Sequence, residues 1–195
     1  MKSIVKTVNP SAPDGPLCTI EAEITNGIGI HLVGLAHTYV KEALLRTVTA
    51  LQTSGYRITG RKIVFNLVQA DALRNATGYD LPLALAYIAA SGQDEFPDLE
   101  RWIAVGELGL DGSVRDAKGC ELAVAAAKDG ELEGCIIPME HAGRIPYGID
   151  TRVPVYAVST LTEACEILKG NEQKRAELRL DAVQDLIQNK QKHTS

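Results

Sequence analysis

Alternation of apolar and polar residues predicts strands in the first third of the chain. Residues 17–25 place Ile, Ala and Ile on one face and two glutamates on the other, which is the period-two pattern of a half-buried strand. Residues 3–8 contain a β-branched run, and residues 61–68 alternate in the same way. A further short strand is predicted over residues 30–35, after a turn that contains two glycines.

A helical period predicts two helices between and after these strands. In residues 38–54 the apolar positions recur at steps of four, four and three, and Gly55 is typical of a helix C-terminus. The second helix begins at Asp80-Leu-Pro, where Asp is a common cap and Pro is tolerated in the first turn. Its residues up to 91 are apolar on almost every side, so we expect it to be buried.

Strands and helices alternate in the second half of the chain. The predicted strands are residues 102–108, 135–138 and 153–158, and the predicted helical segments are 119–129, 139–144 and 160–169. Several strands followed by repeated αβ units indicate an α/β (α+β) sandwich with a mixed sheet and packed helices, not a regular doubly wound sheet. We expect this domain to occupy residues 1–170.

The tail, residues 171–195, is predicted to be a charged helix over 172–191. It carries an apolar stripe at spacings of four, three and four, formed by Ala176, Leu180, Val183 and Ile187. The stripe is a candidate oligomer interface, and the alternative is that it docks on the chain's own core.

Charge argues weakly against a nucleic-acid binder. The 195 residues carry a formal net charge of -5, whereas proteins that bind nucleic acid usually present a basic face. Four cations near helix and strand ends are candidate DNA contacts: Arg57, Arg61, Lys62 and Arg74. The alternative is that they form an ordinary solvated face.

Cysteine and histidine spacing predicts no metal site and no cofactor. Cys18, Cys120, Cys135 and Cys165 form no CxxC pair, and His31, His37 and His141 are isolated in the sequence. We expect buried free thiols in a reducing compartment. The N-terminus lacks the apolar stretch of a secretory signal, and no run approaches the ~20 apolar residues of a membrane span. A cytoplasmic protein without membrane contact is therefore expected.

Four single residues are candidates for chemistry, each with a structural alternative. Asp80 is an acid–base candidate or a helix cap. Glu107 is either a partly buried carboxylate whose raised pKa suits it to chemistry or a residue that makes a structural hydrogen bond near the hairpin. Asp111 is interpreted as a turn residue. Cys120 stands at a helix start, where a thiolate is favoured, but no histidine is near it in sequence, so we expect a packed cysteine.

Four segments resemble one family in order along residues 1–168. They are HLVGLAHTYVKEALLRTVTALQTSGY (31–56), KIVFNLVQAD (62–71), GYDLPLALAYIAASGQ (78–93) and VGELGLDGSVR (105–115). Together they resemble the N-terminal, ChlI-type domain of the magnesium-chelatase-like competence ATPases, the ComM/YifB family. The resemblance implies the fold of a ribosomal protein's second domain, which the proteolytic domain of Lon shares. It also implies an association with a hexameric ring ATPase that drives branch migration of DNA in natural transformation.

The chain departs from this family and from Lon at the positions that carry chemistry. No GxxxxGK[ST] phosphate loop occurs in the 195 residues, so the chain has no ATPase of its own. Aligned with Lon, Pro82 falls at the nucleophilic serine and Glu121 at the lysine base. The sequence leaves open whether the chain is a stand-alone domain or a piece of a longer ATPase.

Three functions follow, of which a non-catalytic accessory domain is favoured. Such a domain would work with a protein partner or by self-association in DNA processing. The alternatives are a DNA-binding module, which the net charge opposes, and a Lon-like peptidase relic, which Pro82 and Glu121 oppose.

Overall fold

The computed structural model describes residues 1–12, 17–34, 37–68, 78–128 and 130–194. No helix within these ranges is long and apolar enough to cross a lipid bilayer. The predicted α/β class with a mixed sheet is confirmed, because one sheet of parallel and antiparallel strands carries helices.

The main sheet has seven strands. They are β1 (Lys2–Val8), β2 (Leu17–Thr25), β3 (Ile30–Val33), β4 (Lys62–Val68), β5 (Trp102–Ala104), β8 (Gly134–Pro138) and β9 (Val155–Val158), while β6 (Glu107–Leu108) and β7 (Val114–Arg115) form a separate hairpin. The strand order is β3-β4-β2-β1-β5-β8-β9. Strands β1, β2 and β4 pair antiparallel, and the other pairs of this sheet are parallel.

Within the described ranges, six α-helices connect and cover the strands. They are α1 (His37–Thr53), α2 (Asp80–Ser91), α3 (Cys120–Ala126), α4 (Leu161–Leu168), α5 (Glu172–Leu178) and α6 (Leu180–Thr194), with 3-10 helices at Leu99–Arg101 and Met139–Arg144. Helix α2 has ten buried residues and packs on β1 and β2. The prediction of a central, buried helix is therefore confirmed.

The core lies on both faces of the sheet. One cluster contains α2 and α4, and the other contains α3 and α6. Strand β8 contributes to both, since Ile136 faces the first cluster while Cys135 and Ile137 face the second. Strands β2 and β4 instead alternate, with Ile20 and Phe65 buried and a less buried face that mixes polar side chains such as Glu21 with valines of β4.

The predicted strand 102–108 is wrong in one respect, because it breaks after three residues. The N–H of Val105 still bonds Ile136 O at 3.1 Å, but Gly106 turns away and bonds Gly78 O at 3.0 Å. A Cβ on Gly106 would lie 2.8 Å from Val114 Cγ1, so only glycine allows the hairpin to pack this closely. Asp111 is a turn residue as predicted, accepting the backbone N–H of Ser113 at 3.0 Å.

The tail is two helices and not the single predicted one. Helix α5 ends before Arg179, whose backbone is extended (φ -61, ψ 137) and forms an antiparallel bridge with Tyr156 of β9. Helix α6 then packs on the second core cluster through Leu180 and Val183. Its Gln184 Nε2 donates to Ala142 O at 3.1 Å and Ile145 O at 2.8 Å, which fixes the helix to the loop around the second 3-10 helix.

Candidate functional site

Asp80 does not cap its own helix, which corrects the sequence interpretation. Helix α2 has Tyr79 at its N-cap position, without a side-chain cap. The carboxylate of Asp80 instead accepts from Arg46 Nε at 2.7 Å and from the Leu108 N–H at 3.0 Å. Asp80 thereby ties α2 to α1 and to the β6–β7 hairpin.

The Asp80–Arg46 pair is largely buried. The side chain of Asp80 is 2% exposed, and that of Arg46 is 28% exposed. Burial raises the pKa of Asp80, although Arg46 and the Leu108 N–H oppose that shift. The hydrogen bond to Asp80 in turn raises the pKa of Arg46. Because so little of this carboxylate is exposed and both of its oxygens bond to other elements, the structure favours its role as a link between elements.

The two positions aligned with the Lon dyad carry no nucleophile–base pair. Pro82 lies in the buried stretch of α2. The side chain of Glu121 on α3 is 64% exposed, and its Oε1 lies 2.8 Å from His141 Nε2. A proline has no nucleophilic atom, and this carboxylate is held by an imidazole.

The fold brings His141 into a charged cluster that the sequence does not reveal. The His141 cluster consists of Asp116, Cys120, Glu121, His141 and Arg144. His141 is 4% exposed and places Nδ1 2.8 Å from Asp116 Oδ1. Arg144 donates to the other oxygen of Asp116. The sulfur of Cys120 lies within 4.8 Å of the Asp116 and His141 ligand atoms.

Electrostatics in the His141 cluster fixes the state of two groups. Burial opposes ionisation of Asp116, but the hydrogen bond and charge of His141, with the charge of Arg144, outweigh it and lower the pKa of that carboxyl. Burial, and then the charge of Asp116, raises the pKa of Cys120 to about 12. The thiol is therefore protonated at neutral pH and donates to Ala117 O at 3.2 Å, so it is a packed cysteine and not a free nucleophile.

The sequence contains no pattern from which this cluster could have been predicted. Asp116 lies just before α3 and Cys120 is its first residue, but His141 comes after α3 and β8, 25 residues beyond Asp116. Two of the other histidines are His31 and His37, which are isolated in the sequence. His31 is exposed on β3, and the side chain of His37 lies outside the described part of the structure.

Three of the four basic candidates fall near one another in sequence on the segment after α1. Arg57 and Arg61 are exposed and Lys62 begins β4, whereas Arg74 lies outside the described residues. Within the described ranges none of the ion pairs involves Arg57, Arg61 or Lys62. These three cations are thus not neutralised by a neighbouring carboxylate.

The tail stripe is used mainly by the chain's own fold. Leu180 and Val183 are each 5% exposed, and Ile187 packs partly buried against the same cluster. Only Ala176 is exposed. An oligomer interface made of all four residues would require α6 to leave the domain, so the structure favours the self-docking alternative.

Together these features define an α/β domain with a seven-stranded mixed sheet, a buried Asp–Arg link and a charged cluster at its surface. The described parts of its structure contain no Lon-like nucleophile at the aligned positions. The chain belongs to the family described as subunit ChlI of Mg-chelatase, which matches residues 20–141. This family assignment confirms the resemblance found in the sequence.

Curated relatives support the same assignment as a ComM/YifB-type, ChlI-like domain. The chain is 36% identical over 171 residues to the YifB protein of Salmonella typhimurium, covering 86% of this chain and 33% of that protein. It is 33% identical over 187 residues to the YifB protein of Escherichia coli, covering 95% and 36%. It is 34% identical over 158 residues to the competence protein ComM of Haemophilus influenzae, covering 80% and 30%. The chain thus spans about a third of the length of these relatives.

Proposed function

We propose that this domain is a non-catalytic interaction domain that works with an ATPase motor in the processing of DNA, in the cytoplasm. The observation that carries the proposal is the composition of the aligned dyad: Pro82 is buried, and Glu121 is bound to His141. The relation to ComM, a competence protein, supports the link to DNA uptake and processing.

The proposed mode of action is contact with a motor protein and not hydrolysis. The chain contains no phosphate loop, so an ATP-driven step must come from another polypeptide segment. The sheet and its two core clusters form a closely packed unit in which α2 is buried almost throughout. Such a unit suits a role in the assembly of an ATPase complex or in guiding a DNA strand past the ATPase motor.

Light scattering on the purified chain tests this proposal. The mass is measured alone, with the ATPase portion of a ComM-type relative that lacks its own matching domain, and with DNA at low and high salt. We expect a mass increase with the ATPase portion that does not require DNA. An unchanged mass in the presence of the ATPase portion, or hydrolysis of a peptide substrate by the chain, would refute the proposal.

A DNA-binding module is the second candidate, supported by the unpaired cations. Arg57, Arg61 and Lys62 have no acidic partner among the described residues and can therefore reach phosphates. A gain in mass with DNA at low salt that disappears at high salt would favour this function, because phosphate contacts release counterions. The triple change of these residues to glutamine should then abolish binding, whereas Lys190→Gln and Lys192→Gln at the exposed end of α6 serve as matched controls.

A further inference from the structure

We propose that Asp116, Cys120 and His141 bind a single Zn²⁺ ion, a site that goes beyond the proposed function and does not depend on it. One ligand atom from each residue lies within 4.8 Å of the other two. Asp116 precedes α3, Cys120 begins α3 and His141 lies in the second 3-10 helix. Thiolate, imidazole and carboxylate are the three ligand types that zinc takes in proteins.

The separations fit a zinc sphere after a small movement. Bonds of ~2.0–2.3 Å in a tetrahedral arrangement place ligand atoms roughly 3.3–3.8 Å apart. Asp116 Oδ1 and His141 Nδ1, now 2.8 Å apart, would open slightly to admit the ion. The Cys120 sulfur, within 4.8 Å of the other two atoms, would move closer by up to about 1 Å and give up its hydrogen bond to Ala117 O.

Glu121 completes an arrangement that is characteristic of zinc-bound histidine. A ligating histidine normally donates its other ring N–H to a carboxylate, which fixes the ring and its tautomer. His141 Nε2 lies 2.8 Å from Glu121 Oε1, while Nδ1 faces Asp116. Glu140 accepts the backbone N–H of Asp116 at 2.9 Å and holds that ligand in place.

The site also lies beside a recess that is open to solvent. It borders a surface recess of about 370 Å³ lined by Asp116, Ala117, Lys118, Glu121, His141 and Arg144. Three protein ligands leave the fourth position open toward this recess, where a water molecule or a partner's side chain would complete the sphere. Arg144 bonds the second oxygen of Asp116, so the ion would bind through Oδ1, which also accepts the Ala117 N–H at 2.9 Å.

Metal binding here is an exchange of protons for the ion. A bond forms from Zn²⁺ to Cys120 Sγ as the thiol proton leaves to solvent, and another forms to His141 Nδ1 as any proton on that nitrogen leaves. Nothing is oxidised or reduced. The competing arrangement is His141 held by two carboxylates alone, which needs no ion and leaves Cys120 without a role beyond packing.

Cobalt substitution tests the site on the intact chain, freed of affinity tags and treated with a chelator. Co²⁺ is titrated while the thiolate-to-metal charge-transfer band and the visible bands of tetrahedral cobalt are recorded. Zn²⁺ is then added as a competitor. We expect one equivalent of Co²⁺ to give both sets of bands and one equivalent of Zn²⁺ to remove them. A chain that shows no charge-transfer band at saturating Co²⁺ overturns the proposal.

Two variants and one matched control locate the ligands. Cys120→Ala should lose the charge-transfer band, whereas Cys135→Ala, which removes another buried thiol of the same core cluster, should keep it. A band that persists in Cys120→Ala overturns the assignment. Glu121→Gln changes an exposed side chain and should leave the fold intact while weakening Co²⁺ binding about 10–100-fold. Unchanged affinity in that variant overturns coordination through Nδ1, and this readout remains if Cys120→Ala does not fold.

Discussion

The Asp80–Arg46 pair should respond very differently to the loss of either partner. In Arg46→Met the carboxylate of Asp80, 2% exposed, stays buried without its cation. Breaking a buried ion pair in this way costs about 3 kcal/mol at neutral pH, which corresponds to a decrease in Tm of roughly 6–12 °C for a chain of this length. The stability loss arises from desolvation and not from lost packing, because methionine preserves most of the side-chain volume.

Removal of the acid should cost less. In Asp80→Asn the guanidinium of Arg46, 28% exposed, can turn toward water. The amide oxygen of asparagine can still accept the Leu108 N–H, now bonded at 3.0 Å. The remaining loss is about 1.5–2 kcal/mol, the lower end of the usual cost of a hydrogen bond to a charged group, because Arg46 can be solvated. The double variant should be more stable than the sum of the two single losses predicts.

The pH dependence of the Arg46→Met variant follows from the sign of the pKa shift. Burial already raises the pKa of Asp80 in the folded chain, and loss of Arg46 removes a group that lowers it. A raised folded pKa means that the folded state holds the proton more tightly than the unfolded state. Protonated Asp80 therefore contributes fully to the stability of the fold below the ordinary pKa of aspartate. That contribution is lost as the pH rises through the pKa that Asp80 has in the folded variant. The loss in free energy of unfolding of Arg46→Met, relative to the unchanged chain, should therefore be small near pH 4 and reach its full size at pH 7.

Urea unfolding followed by circular dichroism at both pH values measures these differences. Lys174→Met breaks an exposed ion pair with Glu177 and is the matched control, for which we expect no measurable change. If Asp80→Asn costs as much as Arg46→Met, or if the deficit of Arg46→Met is the same at both pH values, the desolvation argument is wrong.

Three further predictions concern packing. Gly134→Ala should destabilise the fold by several kcal/mol in urea unfolding, since its Cβ would overlap the Trp102 ring, and Gly60→Ala, in open space, should be neutral or slightly stabilising. Val183→Asp should lower Tm sharply because α6 is docked there, while Leu186→Asp, at a position 60% exposed, should not; equal effects would contradict self-docking. Burial raises the pKa of all four thiols, so a thiol reagent at pH 8 should label none of them until the chain is denatured.

Local patterns in the sequence predicted most of the helices and strands but not the points at which two of them are interrupted. The alternation of Ile20, Ala22 and Ile24 correctly predicted the buried face of β2. Helix α1 begins and ends one residue before the predicted limits. Gly106 interrupts the predicted strand because Val114 of another element approaches it. Arg179 interrupts the tail helix because its backbone bonds to β9. Both interruptions depend on contacts between distant residues, which periodicity does not contain.

The site residues divide in the same way. Residue type alone showed that Pro82 cannot be a nucleophile, and no structure was needed for that conclusion. The partnership of Asp116, Cys120 and His141 required the fold, because α3 and β8 separate them in sequence. Asp80 was misinterpreted because Asp-Leu-Pro is a common helix start, whereas its true partner, Arg46, lies on another helix.

The short extended stretch at Arg179 has a consequence for aggregation. Strand β9 ends the sheet, and an outermost strand offers unpaired backbone groups to any other extended chain. The chain occupies part of this edge itself through the Tyr156–Arg179 bridge, with α5 and α6 on either side. Shortened versions that stop near residue 170 would uncover this template for intermolecular pairing. At the opposite end lies β3, only four residues long, and no strand within the described ranges lies beyond it. A peptide from another molecule that pairs its backbone with this sheet would therefore add at β3, the other edge strand.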